Sequence, residues 1–309
     1  MTPIQYIPLQ AEHSNVISGA NILCLGNFDG VHLAHRTLLR KAKELQTKKL
    51  PHARVGVFCF EKPSTHFLYT NPPAQLTTLE QKLKFFAEEG MDFAFVADFK
   101  ALQELSPEEF INDILISRCF SQGVVCGFNY RFGKGGKGTP ELLQSAFGDE
   151  FTTVQSAVAY NGSTVSSTRI RGLLNKGEIA EANKLLTTPY SITATVERGK
   201  GLGRHLGAPT FNQTPPSDIL IPPRGVYLTH CKIDGQGYYG LTNIGTHPTV
   251  DVDAALNLET HLLHFSGDLY QRELRIEFLE YIRPEQRFDT FEALQEQIQK
   301  DIESVKERL

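Results

Sequence analysis

Short apolar runs alternate with amphipathic segments along the first half of the chain. The runs that predict buried strands are residues 22–25, 54–60, 93–96, 123–126 and 152–158. Between them, apolar residues recur at helical spacing in 38–45 and 79–86, and Ser106 opens a capping box with Glu109 that marks a helix start. This alternation predicts an α/β domain with a mostly parallel, Rossmann-like sheet that helices cover on both faces.

The pattern changes in the second half. Helical signals continue through residues 179–186, and the Thr-Thr-Pro sequence at 187–189 marks a stop. Partly alternating runs, separated by Gly, Pro and Asp, then follow at residues 190–197, 225–233, 238–244, 258–263 and 274–283. At least five strands without a long helix between them predict a closed antiparallel β-barrel, and an apolar stripe beginning near Thr290 predicts a terminal helix. We therefore expect two domains, 1–186 and 187–309.

Composition narrows the class of protein. Of 309 residues, 40% are hydrophobic and 21% are charged, which is typical of a globular protein with sizeable cores. The formal net charge of −4 argues against general binding to nucleic acid or to anionic membranes. No apolar run approaches a membrane span or a secretory signal, and five scattered cysteines without a C-x-x-C pair predict neither a zinc cage nor a disulfide framework. We expect a cytoplasmic protein.

The stretch at residues 22–39 carries the first candidate chemistry. A predicted strand meets Gly26, passes through turn-forming residues 27–30 and continues into a helix. Unpaired backbone N–H groups at a helix start, together with the helix dipole, favour phosphate. His32 and His35 are three apart and share a face there, so they can donate to a phosphate oxygen as charge develops on it. A plain glycine turn with exposed histidines is the alternative.

Two later segments of the first half can reach the same edge of the sheet. Residues 127–138 combine glycines with three cationic side chains, which suits an anion, although a flexible basic surface loop explains them equally well. Residues 165–171 place Ser167, Thr168 and two arginines at a second helix start. Capping alone accounts for the hydroxyls but not for the arginines.

The second half has its own candidate chemistry. Residues 199–207 hold four glycines among basic residues, so this loop can wrap phosphates. Thr210 and Asn212 then offer hard oxygen ligands two positions apart. Glu259 falls in a predicted strand, where a glutamate is ordinarily a solvated residue of the outer face.

The sequence G-N-F-D-G-V-H-L-A-H at 26–35 resembles the G-x-F-D-G-x-H-x-G-H signature of the cytidylyltransferase-like nucleotidyltransferases. Within that group it is most similar to the N-terminal half of the prokaryotic bifunctional riboflavin kinase/FAD synthetase family, whose later nucleotide motifs resemble residues 127–133 and 166–171. The resemblance implies adenylyl transfer, in which the FMN phosphate attacks the α-phosphorus of ATP and pyrophosphate leaves. His32 and His35 are then implied as catalytic. The implied ATP site consists of Gly26, Phe28, Gly30, His32, His35, Asn129, Ser167, Thr168 and Arg171.

The sequence G-A-P-T-F-N at 207–212 resembles the G-x-P-T-A-N motif of riboflavin kinase, and further motifs follow in family order at 225–227, 243–249, 257–261, 268–270 and 281–285. The resemblance implies Glu259 as the catalytic base that takes the proton of the riboflavin 5′-hydroxyl as it attacks the γ-phosphorus. Thr210 and Asn212 are implied to hold Mg²⁺ on ATP. The implied nucleotide contacts are Gly201, Gly207, Thr210, Asn212 and Tyr270, and the implied flavin contact is Arg283.

We therefore expect a transferase that makes FMN and then FAD from riboflavin and two ATP, with neither nucleic acid nor membrane as partner. Because Ala34 replaces the family's glycine and Lys62 stands where many members have histidine, a kinase with an impaired adenylylating half is one alternative. A flavin-nucleotide sensor without turnover is another. A tRNA- or lipid-cytidylyltransferase fits only the first motif. The sequence leaves the oligomeric state open.

Overall fold

The computed structural model describes residues 4–9, 19–197, 210–246 and 256–306. The chain divides into two compact units, Met1–Ser167 and Thr168–Leu309. By their contacts, the helices between residues 168 and 186 group with the second unit. The domain boundary that the sequence predicts after residue 186 stays a prediction.

A parallel sheet forms the centre of the first unit. Its strands in the described part of the chain are β1 (Gln5–Leu9), β2 (Asn21–Leu25), β3 (Arg54–Phe60), β4 (Phe93–Ala97), β5 (Ser121–Gly127) and β6 (Thr152–Gln155). They lie in the order β1-β4-β3-β2-β5-β6, and every neighbouring pair is parallel. Parallel strands need crossover connections, which the helices supply.

The described helices of this unit include the ones predicted over residues 38–45, over residues 79–86 and from Ser106 onward, together with others that the sequence did not predict. They are α1 (Leu33–Lys49), α2 (Thr65–Leu68), α3 (Leu79–Glu88), α4 (Phe99–Leu102), α5 (Pro107–Glu109) and α6 (Pro140–Phe147). The capping box of Ser106 and Glu109 is present at the start of α5, which continues into a π-helix, Phe110–Arg118. A short hairpin of β7 (Ala159–Tyr160) and β8 (Ser163–Thr164) precedes the end of the unit.

Two apolar clusters cover the two faces of the sheet. Leu23 of β2 belongs to the cluster that contains Leu115 of the π-helix. Its neighbour Cys24 belongs to the other cluster, with Leu39 of α1 and Phe86 of α3. Because successive strand residues point to opposite faces, helices lie on both sides of the sheet. The predicted α/β class is confirmed.

Two helices and a barrel make up the second unit. The helices are α7 (Ser167–Asn175), whose first residue belongs to the first unit, and α8 (Ile179–Leu186). The described barrel strands are β9 (Tyr190–Glu197), β10 (Thr210–Gln213), β11 (Gly225–Ile233), β12 (Gln236–Thr246), β13 (Leu256–Leu262) and β14 (Glu273–Arg283). They close in the order β10-β13-β12-β11-β14-β9, with antiparallel pairs throughout. The predicted barrel is confirmed.

The barrel interior is closed by large side chains and by a row of threonines. Tyr227 and Phe278 have no exposed surface, and their rings meet edge to face at 5.3 Å. The hydroxyls of Thr229 and Thr242 lie 2.9 Å apart, and those of Thr242 and Thr260 lie 2.8 Å apart. This row ties β11, β12 and β13 together, which fixes the strand that carries Glu259.

The terminal helix α9 (Phe291–Lys306) covers the outer wall of the barrel. Its Val305 is fully buried in a cluster with Val226 and Leu228 of β11 and Leu241 of β12. No helix in the four described ranges combines the length and the apolar character needed to cross a bilayer.

Candidate active sites

The segments predicted to bind nucleotide follow neighbouring strands of the first sheet. Gly26 comes directly after β2, Lys62 follows β3, Phe99 follows β4 and Asn129 lies on the turn after β5. The sheet is parallel, so these strands end at one edge, where ligands of open α/β sheets bind. Asn129 is exposed at this edge.

Hydrogen bonds from the segment before α3 hold the turn between β2 and α1. The Asp29 carboxylate accepts from the backbone N–H groups of Leu76 at 2.8 Å and Thr77 at 3.3 Å. The Gly30 N–H donates to the Thr77 hydroxyl at 3.0 Å. Asp29 is buried, so the carboxylate of this motif has a structural role: it holds the conformation of the turn.

The ring of Phe28 packs against residues at both ends of the turn. The φ of Phe28, +50°, is in the left-handed region, and its side chain has no exposed surface. The ring lies 5.1 Å from that of His35 and 5.3 Å from that of Phe86. A Cβ atom at Gly26 would approach the same ring to 3.2 Å, so glycine suits this close approach. The backbone of Phe28 is therefore the part that can meet a nucleotide, and its predicted role in ATP binding stays a prediction.

The two histidines stack at the start of α1. Their ring centroids are 3.7 Å apart and the planes differ by 14°. The side chain of His32, at the N-cap position, makes no capping hydrogen bond, so it leaves the helix start uncapped for an anion. Burial, and then the nearby His32 and Lys82, lower the pKa of His35 well below its ordinary value. His35 is therefore a neutral imidazole at physiological pH.

The third motif reaches the same turn through Ser167. Its hydroxyl donates to the backbone carbonyl of Asp29 at 2.9 Å, across 138 positions of sequence. Thr168 and Arg171 follow on α7 in the second unit, and their predicted contact with the departing phosphates stays a prediction.

A cavity of about 380 Å³ opens at the same edge of the sheet. Its lining residues are Glu61, Lys62, His66, Phe67, Asp98, Phe99 and Lys100. The rings of Phe67 and Phe99 stack at 5.4 Å. Asn27 lies in the turn between β2 and α1 (residues 26–30, the phosphate turn), and its side chain makes two hydrogen bonds with Ser64, at 3.1 and 3.2 Å, which fix that turn to the start of α2. Of the lining residues, the sequence singled out only Lys62; aromatic and charged residues directly after two successive strands were the available signal.

The second candidate site lies on the outer wall of the barrel. The Thr210 hydroxyl donates to the Glu259 carboxylate at 2.8 Å. Asn212 stands directly opposite Glu259 in the pairing of β10 with β13. Leu258 and Thr260, on either side of Glu259, are fully buried in the interior, so Glu259 faces outward. The two predicted metal ligands and the predicted base thus lie together.

Asn257 belongs to the same group, and sequence reasoning missed it. Its side-chain amide donates to the Asn212 carbonyl oxygen at 2.6 Å, and both residues are buried. Its position two residues before Glu259, on the same face of β13, was the signal that could have found it.

The oxygen donors of Thr210 and Asn212 fit Mg²⁺ chemically. The Thr210 proton is committed to Glu259, which leaves the hydroxyl oxygen's lone pairs for a cation. The Asn212 carbonyl oxygen uses one lone pair on Asn257 and keeps the other. Within the described ranges, His, Cys, Asp and Glu side chains form no metal-binding group of three. A cation here would therefore rest on hard neutral oxygens and nucleotide phosphates, which is how Mg²⁺ is commonly held.

The remaining predicted residues of the second half are placed as follows. Tyr270 is 40% exposed in a turn where its N–H bonds the Asp268 carboxylate at 2.9 Å. The Arg283 guanidinium bonds the buried Asp301 of α9 at 2.7 and 3.0 Å. A flavin contact by Arg283 stays a prediction. Gly201 and Gly207 lie outside the described residues.

Comparisons with known proteins match both halves of the chain. The family description "FAD synthetase" matches residues 15–169, and "Riboflavin kinase" matches residues 186–309. The bifunctional riboflavin kinase/FMN adenylyltransferase of Listeria monocytogenes is 35% identical over 285 residues, which cover 91% of this chain and 90% of that protein. The Escherichia coli K12 protein of that name is 37% identical over 287 residues, covering 91% and 90%.

A solved structure shares the whole fold. A crystal structure described as a macrolide-efflux protein from Streptococcus pneumoniae superposes with a TM-score of 0.87 at 27% identity and covers 98% of both chains. The resemblance seen in the motifs is confirmed by the matches to both halves. With relatives above 30% identity across about nine-tenths of both sequences, the chain belongs to the family of bifunctional riboflavin kinase/FMN adenylyltransferases.

Proposed function

We propose that this chain phosphorylates riboflavin to FMN with ATP and then adenylylates FMN to FAD with release of pyrophosphate. The observation that carries the proposal is the hydrogen bond between Thr210 and Glu259, with Asn212 opposite Glu259 in the sheet. It brings a carboxylate base beside two hard oxygen ligands. A flavin sensor without turnover needs no such base.

In the kinase step, Glu259 accepts the proton of the riboflavin 5′-hydroxyl as that oxygen attacks the γ-phosphorus, and ADP leaves. Thr210 orients the carboxylate by donating to one of its oxygens. Thr210 and Asn212 would hold Mg²⁺, and that ion would neutralise phosphate charge when bound. The remaining work is to hold the hydroxyl in line with the phosphorus.

In the adenylylation step, an oxygen of the FMN phosphate attacks the α-phosphorus of ATP, and the bond to the pyrophosphate oxygen breaks. His32 and His35 donate hydrogen bonds to phosphate oxygens on which negative charge develops. Ser167, Thr168 and Arg171 are proposed to contact the departing phosphates, with Asn129 at the nucleotide. No covalent intermediate with the protein is needed.

The cavity beside the phosphate turn suits the flavin of the second step. Phe67 and Phe99 offer apolar ring surface to a planar aromatic ligand, and Lys62 and Lys100 supply positive charge for its phosphate. Lys62 lies in this lining, so lysine in place of histidine leaves a cation at the cavity. We propose that FMN binds here for adenylylation.

We also propose Mg²⁺ as the cation and the cytoplasm as the location. The five cysteines are all free and buried, which suits a reducing compartment. The net charge of −4 argues against nucleic acid and anionic membranes as partners, so we propose that the partners are the small-molecule substrates riboflavin, FMN and ATP.

The test is to incubate the purified chain with riboflavin, ATP and Mg²⁺ and to follow FMN, FAD and pyrophosphate by chromatography. Successive appearance of FMN and FAD is expected. A second incubation with FMN, ATP and Mg²⁺ but no riboflavin tests whether the first half is active or impaired, the question that Ala34 and Lys62 raise. FAD and pyrophosphate must form in both incubations if the first half is active. If the first incubation yields FMN and neither yields FAD, the chain is a kinase only.

A further inference from the structure

The candidate kinase site contains a buried carboxamide to which the proposed mechanism gives no role. Asn257 of β13 is only 7% exposed. Its side-chain nitrogen donates to Asn212 at 2.6 Å, but its own carbonyl oxygen has no hydrogen-bond partner within the described part of the chain. Burying an acceptor without a donor is unfavourable, so stability alone does not explain an asparagine at this position.

Two side-chain hydrogen bonds between β10 and β13 follow the same diagonal. In the strand register, Thr210 stands opposite His261, and Asn212 stands opposite Glu259. The Thr210 hydroxyl bonds the residue two positions before its register partner, which is Glu259. Asn212 likewise bonds the residue two positions before its own register partner, which is Asn257. Diagonal neighbours on one face of a sheet are within reach of such side chains, so one residue of β13 holds each of the two proposed cation ligands.

The orientation of the Asn212 carboxamide decides whether it can bind a cation. Rotating the amide group by 180° exchanges the carbonyl oxygen, which is a cation ligand, with the NH₂ group, which is not. The N–H of Asn257 points at Asn212, and this contact requires an acceptor, because two facing NH₂ groups repel each other. Asn257 therefore selects the orientation in which Asn212 presents its oxygen on this side, with one lone pair left for a cation.

We propose that Asn257 is a positioning residue for the kinase reaction: its hydrogen bond holds the Asn212 carboxamide with the carbonyl oxygen, rather than the NH₂ group, available to the divalent cation of the nucleotide. This rests on the proposed riboflavin phosphorylation. Residues that orient a metal ligand through a hydrogen bond typically contribute about 10–100-fold to metal affinity. Because Asn257 acts on the cation ligand and not on the reacting hydroxyl, excess cation should compensate for its loss.

The first test is kinetic and uses Asn257→Leu, which keeps a similar shape but removes the donor. Asn175→Leu is the matched control, because Asn175 is exposed at the end of α7 in the same unit. We expect the free Mg²⁺ concentration that half-saturates riboflavin phosphorylation to rise about 10–100-fold in Asn257→Leu and to stay unchanged in the control. At saturating Mg²⁺ the kcat of Asn257→Leu should approach the wild-type value. A kcat that is reduced equally at every Mg²⁺ concentration would overturn the proposal.

A second test measures cation binding without turnover. Mn²⁺ prefers the same oxygen ligands as Mg²⁺, and it broadens nearby NMR signals. We would titrate Mn²⁺ into the chain with ADP and follow the side-chain NH₂ signals of Asn212, which the Asn212→Ala variant assigns. These signals report on this site alone, whatever binds to the first unit. Asn257→Leu should need about 10–100-fold more Mn²⁺ for half of the broadening.

Urea unfolding without nucleotide separates this role from a merely structural one. Asn257→Leu loses one hydrogen bond and one unsatisfied buried acceptor together, so its unfolding midpoint should lie near that of the wild type. A lower midpoint together with an unchanged Mn²⁺ requirement would show that Asn257 only stabilises the barrel, and the proposal would be wrong.

One expected result concerns the wild type alone, so it applies even if Asn257→Leu does not fold. The side-chain NH₂ protons of Asn257 should exchange with solvent more slowly than those of exposed Asn175, because one of them bonds Asn212. Equally fast exchange would contradict the proposal. A wild type that makes no FMN would instead sink the proposed kinase reaction, while the Mn²⁺ titration would still decide on Asn257.

Discussion

The hydroxyl of Thr210 donates a hydrogen bond to the carboxylate of Glu259 at 2.8 Å, although 49 positions separate the two residues in sequence. The bond turns one carboxylate oxygen toward β10 and uses the hydroxyl proton of Thr210. The other carboxylate oxygen is left to act on a substrate hydroxyl. One contact thus orients a base and prepares a cation ligand.

The first prediction concerns this base. Glu259→Gln keeps an oxygen that can accept from Thr210 but removes the basic carboxylate. Riboflavin phosphorylation should fall by about 10²–10⁴-fold, the usual contribution of a general base. FMN adenylylation by the same preparation should persist, because its residues lie in other segments. Glu273→Gln, an exposed change on β14, is the control, and an equal loss of both activities would contradict separate sites.

The second prediction concerns His32. His32→Ala removes a buried donor that stacks on His35 at 3.7 Å, so adenylylation should lose about 10²–10³ in rate. Pyrophosphate release from FMN and ATP measures the effect, and riboflavin phosphorylation should be unchanged. His52→Ala, at an exposed position after α1, is the matched histidine control. Near-normal adenylylation by His32→Ala would refute the assignment.

The third prediction concerns the ion pair between Arg283 and Asp301. Asp301→Ala leaves a largely buried guanidinium without its carboxylate, which typically costs about 3–5 kcal/mol. Urea unfolding followed by circular dichroism should show a transition of the barrel at lower denaturant. Glu303→Ala, exposed on the same helix, should leave the midpoint in place. If both variants unfold alike, the pair does not hold α9 to β14.

The fourth prediction follows from the lowered pKa of His35. The unfolded chain binds a proton at this position as pH falls below about 6.5, and the folded chain does not. Protons therefore favour the unfolded state, so the free energy of unfolding should decrease from pH 7 downward, by about 1.4 kcal/mol for each unit of pKa difference once the pH is below both values. His35→Gln removes this contribution, and its unfolding should depend less on pH between 7 and 5. Identical pH slopes would contradict a depressed pKa.

The fifth prediction concerns the thiols. Burial raises the pKa of Cys59 and Cys231 to about 11 and that of Cys126 to about 12, and all five cysteines are buried. At pH 8 the native chain should react slowly with an aromatic disulfide reagent, because the thiolate is the reactive form. In denaturant all five should react at once. Rapid reaction of any thiol in the native chain would show an opening at that position.

Hydrophobic periodicity predicted the elements in which buried and exposed residues keep the same pattern from end to end. The runs at 54–60, 190–197 and 225–233 coincide with β3, β9 and β11. The edge strand β1 was missed because it contains Pro8 and three of its five residues are exposed. β10 was missed because its four residues obtain their conformation by pairing with β13 and β9, which a local pattern does not reveal. The predicted strand at 152–158 ends at Gln155 for the same reason, since its partner β5 ends at Gly127.

The site was predictable where the chemistry lies in one motif. The spacing of His32 and His35 and the Thr210/Asn212 pair are visible in short stretches of sequence. The family resemblance added Glu259 to the Thr210/Asn212 pair. Asn257 was missed because a polar residue that will be buried looks like any surface residue in sequence, and only its place on the same strand face as Glu259 distinguishes it. The cavity was missed for a different reason, since its lining comes from two loops that only the parallel order of β3 and β4 brings together.

Closure of the barrel has a consequence for how other molecules can engage it. Each of its six described strands is paired on both sides, whereas β1 and β6 end the open sheet of the first unit. An unpaired strand edge is a template on which another chain can add a strand. Where the barrel strands are paired on both sides they offer no such template, and a protein that recognises the barrel there must do so through side chains and loops.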